Sequence, residues 1–344
     1  MKWSIVFYCI IIINFLNSKE LPAQEIDMGK DKYICKNSNG IVIEPKEGEA
    51  DECCYTWSPD DGSLSNIKIR NPIAKPKKTT KYTLTVVGKD FKYTKKGKIT
   101  VFVVDECCGE NNSVVEPTDK IKVKYLPAQG KTSGLTPKPS DIECTACLDE
   151  ERQRWFLRVA EYIAYGDIVI FEIPNRPYSR ATPNTPATTN IDNNNRPSNV
   201  NYWGFVVNEL DMYDRPNYPV GYNPNWFSTR ISETHELQHR KEWIEISKDV
   251  WQILGTEALV ENISIDAAEA IKAKKAKENM INTSEFKNTR RDYYLRVAKE
   301  MEIRVTVHDK HGLGGEAYRL GRQVVDEYIN MIRQYAIQKG WLTP

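Results

Sequence analysis

The sequence has almost no net charge: 48 lysine and arginine residues stand against 47 aspartate and glutamate residues, a formal +1. A chain so balanced generates no field that would gather nucleic acid or an anionic membrane, so no nucleic-acid partner is expected. It also lacks any apolar run of bilayer-spanning length, the longest being Trp3 to Leu16. Histidine is scarce, with four residues in 344, and all four fall in two tight clusters. Scattered core use does not produce that pattern, whereas a shared metal would.

Lys2 ahead of the apolar run, with small residues at Ser18 and Ala23 behind it, reads as a secretory signal peptide over residues 1–23. The expected mature chain has no transmembrane segment and is secreted, periplasmic or held at a cell surface. Export bears on the cysteines that follow Cys9: Cys35, Cys53, Cys54, Cys107, Cys108, Cys144 and Cys147. In an oxidising compartment they are expected as disulfides, and seven of them leave at least one thiol over. A zinc knot of Cys107, Cys108, Cys144 and Cys147 is the competing reading; adjacent cysteines do not fit its usual ligand spacing. Asp-Glu-Cys-Cys occurs twice, at 51–54 and 105–108, and marks two points for stapling.

A chain of 344 residues suits two domains. Over 24–105, short runs alternate in period two, such as Tyr82, Leu84 and Val86, or Ile99, Val101 and Val103, with turn clusters between them. That pattern predicts a small β-sandwich. The lysine-rich stretch 75–98 reads as the solvated face and edge protection of its strands. Residues 106–149, rich in Pro, Gly, Asn, Ser and Lys, read as a linker, and 150–344 as the second domain. In the second domain the spacing predicts a helix over 151–165, strands over 167–173 and 203–208, a loop over 174–201, and helices beyond Ser232. The fold class expected is therefore multidomain, an all-β sandwich followed by a mainly α (α+β) domain.

Tyr55-Thr-Trp57-Ser-Pro59, Asn71-Pro72 and Thr79-Thr-Lys-Tyr-Thr-Leu-Thr-Val86 resemble the immunoglobulin-like, PKD-like modules of bacterial secreted and surface proteins, especially in the Bacteroidetes. The resemblance covers about a fifth of the chain and implies a spacer or adhesive module.

The chemistry concentrates in His235-Glu236-Leu237-Gln238-His239, early in an expected helix capped by Ser232 or Thr234 and uninterrupted until Gly255. Its stripe runs His235, His239, Trp243, Ile246, Val250 and Ile253. Imidazoles four apart on one helical face can reach one zinc ion, and the carboxylate beside the first can take a proton from water. The plainer reading is a histidine pair satisfied by hydrogen bonds and never metallated. The pentapeptide resembles that of the zincin metallopeptidases, which implies His235 and His239 as Zn2+ ligands and Glu236 as general base.

The metzincin extension would need Gly and His at positions held by Glu242 and Glu245, which excludes that subclass. His311 is favoured as third ligand, because some secreted bacterial domains with an HExxH helix, a long helix and a His-Gly pair look similar. Glu257, Glu261, His308 and Glu316 are the alternatives. Tyr318 or Tyr294 would serve as oxyanion donor, although aromatics at such spacing are usually core. The function expected is zinc-dependent hydrolysis of a protein or peptide substrate, by a general peptidase or a single-target toxin. The rival is a surface binding or adhesion protein with a structural or vestigial metal site.

Overall fold

A computed structural model describes residues 24–48, 52–89, 91, 93–109, 115–127, 133–173, 189–192, 195–197, 200–213, 226–308 and 315–343. The expected signal peptide, most of the 174–201 loop and His311 lie outside the described residues. In chain order the strands are β1 (Gln24–Glu25), β2 (Lys32–Cys35), β3 (Ile41–Val42), β4 (Glu52–Ser58), β5 (Ile73–Ala74), β6 (Thr80–Gly88), β7 (Thr94–Val104), β8 (Pro117–Pro127), β9 (Gly134–Asp149), β10 (Arg154–Glu172), β11 (Thr189–Asn190), β12 (Trp226–Phe227) and β13 (Ser264–Asp266). The α-helices are α1 (Trp203–Asp211), α2 (Thr229–Leu254), α3 (Thr256–Glu261), α4 (Ala273–Ile281), α5 (Ser284–His308) and α6 (Glu316–Gln338).

The chain divides into two compact units, the first formed by Met1–Asn111, Thr145–Arg158 and Ile263–Met280, the second by Asn112–Cys144, Val159–Asn262 and Ile281–Pro344. One unit is rich in sheet; the other combines long helices with strands.

In the first unit the ladder runs β1-β7-β6-β4, with β2 also on β7 and a separate β3–β5 pair. The period-two residues do what their spacing predicts: Tyr82, Leu84 and Val86 of β6 and Ile99 and Val101 of β7 are buried. They share a core with Trp57, Ile43, Leu64 and Ala74. Two disulfides lie here, Cys35–Cys107 and Cys108–Cys147. They rule out the four-cysteine zinc knot, since three of its ligands are consumed. Both cysteines of the second Asp-Glu-Cys-Cys are bridged; Cys54 of the first, and Cys144, are not disulfide-bonded. Gln153, at positive φ, ties the β9–β10 turn to β2: its amide exchanges hydrogen bonds of 2.9 and 2.8 Å with Tyr33 N and O.

Three expectations need correction. Residues 106–149 are not simply a linker, because 117–127 and 134–149 form β8 and β9, both pairing with β10. Ile121 and Val123 alternate with Lys120, Lys122 and Lys124, a strand pattern that the surrounding prolines and glycines obscure. Residues 154–165 are strand rather than helix: Trp155, Leu157 and Val159 are buried in period two, and Gly166 does not end an element but pairs with Ile121 inside β10. Residues 203–208 open a helix rather than a strand, since Val206, Val207, Leu210 and Tyr213 continue the apolar set at helical spacing.

In the second unit α2 packs against α5 and α6. Ser228, not Ser232 or Thr234, caps it by accepting from the Arg230 amide at 3.2 Å, and Gly255 ends it at φ +58 as the first glycine after the start. Arg240 to Asp119 and Lys248 to Glu116, each 2.8 Å, tie α2 to the β8 strand and the residue before it. Tyr162 of β10 stacks on Trp251 of α2 at 4.2 Å, and Tyr293 of α5 closes the group edge-on while donating to Ser247 O at 3.1 Å. Burial pushes both phenols above the ordinary tyrosine range.

Candidate metal centre

A helix turns through 100° per residue, so His235, His239 and Glu242 fall in one stripe of α2. The stripe passes under the N-terminal part of α6, whose Tyr318 meets the His235 ring edge-on at 4.7 Å. His239 is 4% and Glu242 1% exposed, while His235 is half-buried. Below them Trp243, Ile246 and Val250 continue the buried face as the spacing predicts; Ile253, at 73% exposure, has left it.

The two rings are held from their outer nitrogens. His239 Nδ1 lies 3.0 Å from Glu242 Oε2, and the other oxygen of that carboxylate accepts from Gln238 Nε2 at 3.0 Å. Tyr213, just beyond the end of α1, brings its hydroxyl to 3.5 Å from His235 Nδ1. The inner nitrogens converge: His235 Nε2 and His239 Nε2 are 3.2 Å apart, with the rings nearly perpendicular. Two imidazole nitrogens on one tetrahedral zinc, each at 2.0–2.1 Å, would lie about 3.3 Å apart. The donor pair therefore fits a zinc-sized ion, and a carboxylate behind one ring is the support such ligands ordinarily have. Glu236 is buried beside the pair, on the next position of the same helical turn.

The alternatives for a third ligand separate by position. Glu257 and Glu261 lie on α3, beyond the C-terminus of α2, and the helix remaining after His239 extends on the order of 20 Å at the α-helical rise. An uninterrupted α2 thus carries them away from the pair. His308 is the last residue of α5, and Glu316 opens α6, two residues before Tyr318, with its carboxylate clasped by Arg319 at 2.7 and 2.6 Å. Among the described residues no group of three His, Cys, Asp or Glu side chains is gathered for a metal. Tyr294 is only partly buried; the aromatic that α5 buries is its neighbour Tyr293, with Phe286, Val297 and Met301.

Sequence reasoning missed three residues around this site. Glu242 was weighed only as a departure from the metzincin pattern, although its i+3 spacing from His239 is a readable carboxylate–imidazole signal. Tyr213 and Gly321 carry no such signal, because tertiary packing alone brings Tyr213 to His235 and Gly321 against the Tyr213 phenol.

No family model and no curated protein matches the sequence. Solved structures that match include mouse clustered PcdhgC3 EC1-3, at 10% identity over 43% of this chain and 67% of that one, TM-score 0.19. An I-band fragment of titin matches at 6% identity over 43% and 64%, TM-score 0.18. Drosophila N-cadherin EC1-3 matches at 11% identity over 45% and 66%, TM-score 0.18. This chain thus spans about two thirds of each of these structures, and scores this low assign neither fold nor activity.

Proposed function

We propose that the chain is an exported zinc-dependent metallopeptidase, in which His235 and His239 hold the metal and Glu236 is the general base. The observation that carries this reading is the convergence of the two Nε2 atoms at 3.2 Å, with the Nδ1 atom of His239 backed by the buried Glu242. Without a metal a hydrogen bond between the rings accounts for the same distance, and with one bound the same spacing lets both Nε2 atoms reach a single ion. Bound zinc would polarise the scissile carbonyl and acidify the attacking water. Glu236 would take the proton from that water and hand it to the departing amine. A third protein ligand is required, and His311, His308 and Glu316 are the candidates that α2 does not carry away.

The sheet-rich unit is read as an immunoglobulin-like, PKD-like spacer, supported by its antiparallel β4-β6-β7 ladder and by the motif around Trp57. Two disulfides, and the lack among the described residues of a helix long and apolar enough to cross a membrane, fit an extracellular protein.

The test is metal analysis with peptide-library cleavage on the purified protein, Glu236→Gln and His239→Ala. The expected result is one zinc per wild-type chain, zinc retained with cleavage down at least about 100-fold in Glu236→Gln, and zinc lost in His239→Ala. Zinc bound equally by wild type and Glu236→Gln, with neither cleaving, would instead favour the binding-protein reading with a structural metal.

A further inference from the structure

The formal charge of +1 is a sum over unequal parts. Residues 75–98 hold nine lysines against one acid, Asp90, a local +8 that leaves −7 for the rest of the chain. Charges are screened over about 8 Å at physiological ionic strength, so a partner at this surface meets the lysines without the distant acids. Five of the nine fall between 89 and 98, where β6 turns back into β7. Glu25, paired with Lys96, and Glu52, paired with Gly88, offset part of that charge and leave this end of the sheet basic.

The turn itself is held by hydrogen bonds. Phe91 N donates to Gly88 O at 2.9 Å, and Gly88 N donates to Tyr93 O at 3.3 Å. A close approach requires the glycine, since a Cβ on it would sit 2.6 Å from a ring atom of Tyr93. The Tyr93 ring carries the Lys95 ammonium 5.1 Å from its centroid, a cation–π contact. Phe91 is left standing in water at 81% exposure, the most of any large apolar residue among those described.

A single exposed phenylalanine is ordinary, but one at φ +56 is not. Glycine or asparagine reaches the left-handed region at least cost, so a bulky aromatic there adds strain and gains no burial in return. Stability of the hairpin therefore does not explain the residue, whereas a partner that is apolar inside and anionic outside does. A bilayer with acidic headgroups has that layering, with hydrocarbon for the ring and phosphates at the level of the lysines. A soluble polyanion would match the lysines and leave Phe91 without a place.

We propose that the β6–β7 hairpin docks the chain on an anionic lipid surface. Phe91 enters the interface, Lys89, Lys95 and Lys96 meet headgroup phosphates, and Tyr93 lies at the boundary between them. The site belongs to the sheet-rich unit and does not depend on the metal reading above. One ring and a few ammonium groups make a reversible, peripheral contact rather than an anchor.

Co-sedimentation of the full chain with vesicles tests this, using phosphatidylcholine alone or mixed in equal parts with phosphatidylglycerol. The wild type is expected to bind the mixed vesicles, to leave them as salt is raised, and to ignore phosphatidylcholine alone. Phe91→Gly suits the turn, so it should bind about tenfold more weakly while melting no lower than the wild type. Phe91→Trp should retain binding, because an indole favours the interface. Lys89→Gln combined with Lys96→Gln should lose roughly 20-fold, at about fivefold per lysine. Wild type that leaves mixed vesicles unbound, equal binding to phosphatidylcholine alone, or a Phe91→Gly protein that binds as well as wild type overturns the proposal. Retention on heparin without vesicle binding also overturns it, and assigns the lysines to a soluble polyanion instead.

Discussion

The two units bury different kinds of group. The sheet-rich unit fills its core with Trp57, Tyr82, Leu84, Val86, Ile99 and Val101 and adds two disulfides. The buried polar and charged residues among those described are Ser228, Glu236, His239, Glu242, Ser247 and Thr256: four lie in α2, Ser228 precedes it, and Thr256 opens α3 just after Gly255. Burying a carboxylate or an imidazole costs free energy unless each is met by a partner. Apolar burial needs no such matching, so the sheet-rich core is stabilised without it, while the other unit gives up some stability along α2 to hold buried polar groups.

Four changes would break or sharpen that contrast. Trp57→Ala should remove about 3–5 kcal/mol from the sheet-rich unit through lost burial and the cavity left behind, with the histidine spectra unaltered. Denaturant unfolding followed by fluorescence and NMR checks both halves; a matching shift of the histidine signals would mean that the units are not independently stabilised. Cys108→Ser with Cys147→Ser should cost about 2–4 kcal/mol, because it reopens a connection with a sequence separation of 39. The loss should appear in the melting of the sheet and leave zinc uptake intact.

Glu242→Gln attacks the other unit. It should weaken zinc affinity about 10- to 100-fold, measured by chelator competition, while changing the melting temperature of the sheet-rich unit little. An unchanged affinity would reduce Glu242 to a packing residue. The smallest effect is expected at Gly255, whose φ of +58 an L side chain tolerates poorly although no atom lies within 4 Å of a built Cβ. Gly255→Ala should cost about 1–2 kcal/mol of conformational strain, seen as fraying of α2 at its far end with zinc affinity unchanged.

Legibility followed the range of the interactions involved. The alternation Tyr82, Leu84, Val86 is readable because a strand buries every second residue whatever it pairs with. The α2 stripe and its stop at Gly255 are readable for the same local reason, and its N-cap was displaced by only a few residues, from Ser232 or Thr234 to Ser228. Residues 154–165 were misread because Trp155, Leu157, Val159 and Ile163 admit both a helical and an extended spacing, and pairing with β8 and β13 decides for the strand. Tyr294 was singled out on α5 although the helix buries its neighbour Tyr293, since that helix has little amphipathic contrast of its own.

By itself the sequence determined that two histidines and an acid share one helical turn, because an α-helix fixes the angle between neighbours without outside help. It likewise determined the alternating strands of the sheet-rich unit, whose period comes from the pleat. Only the tertiary structure decided that Tyr213 stands behind His235, and that Gly321 opens the space for the phenol. Those contacts join residues from separate segments, and their distances follow from how the end of α1, α2 and α6 pack, a packing that no local periodicity specifies.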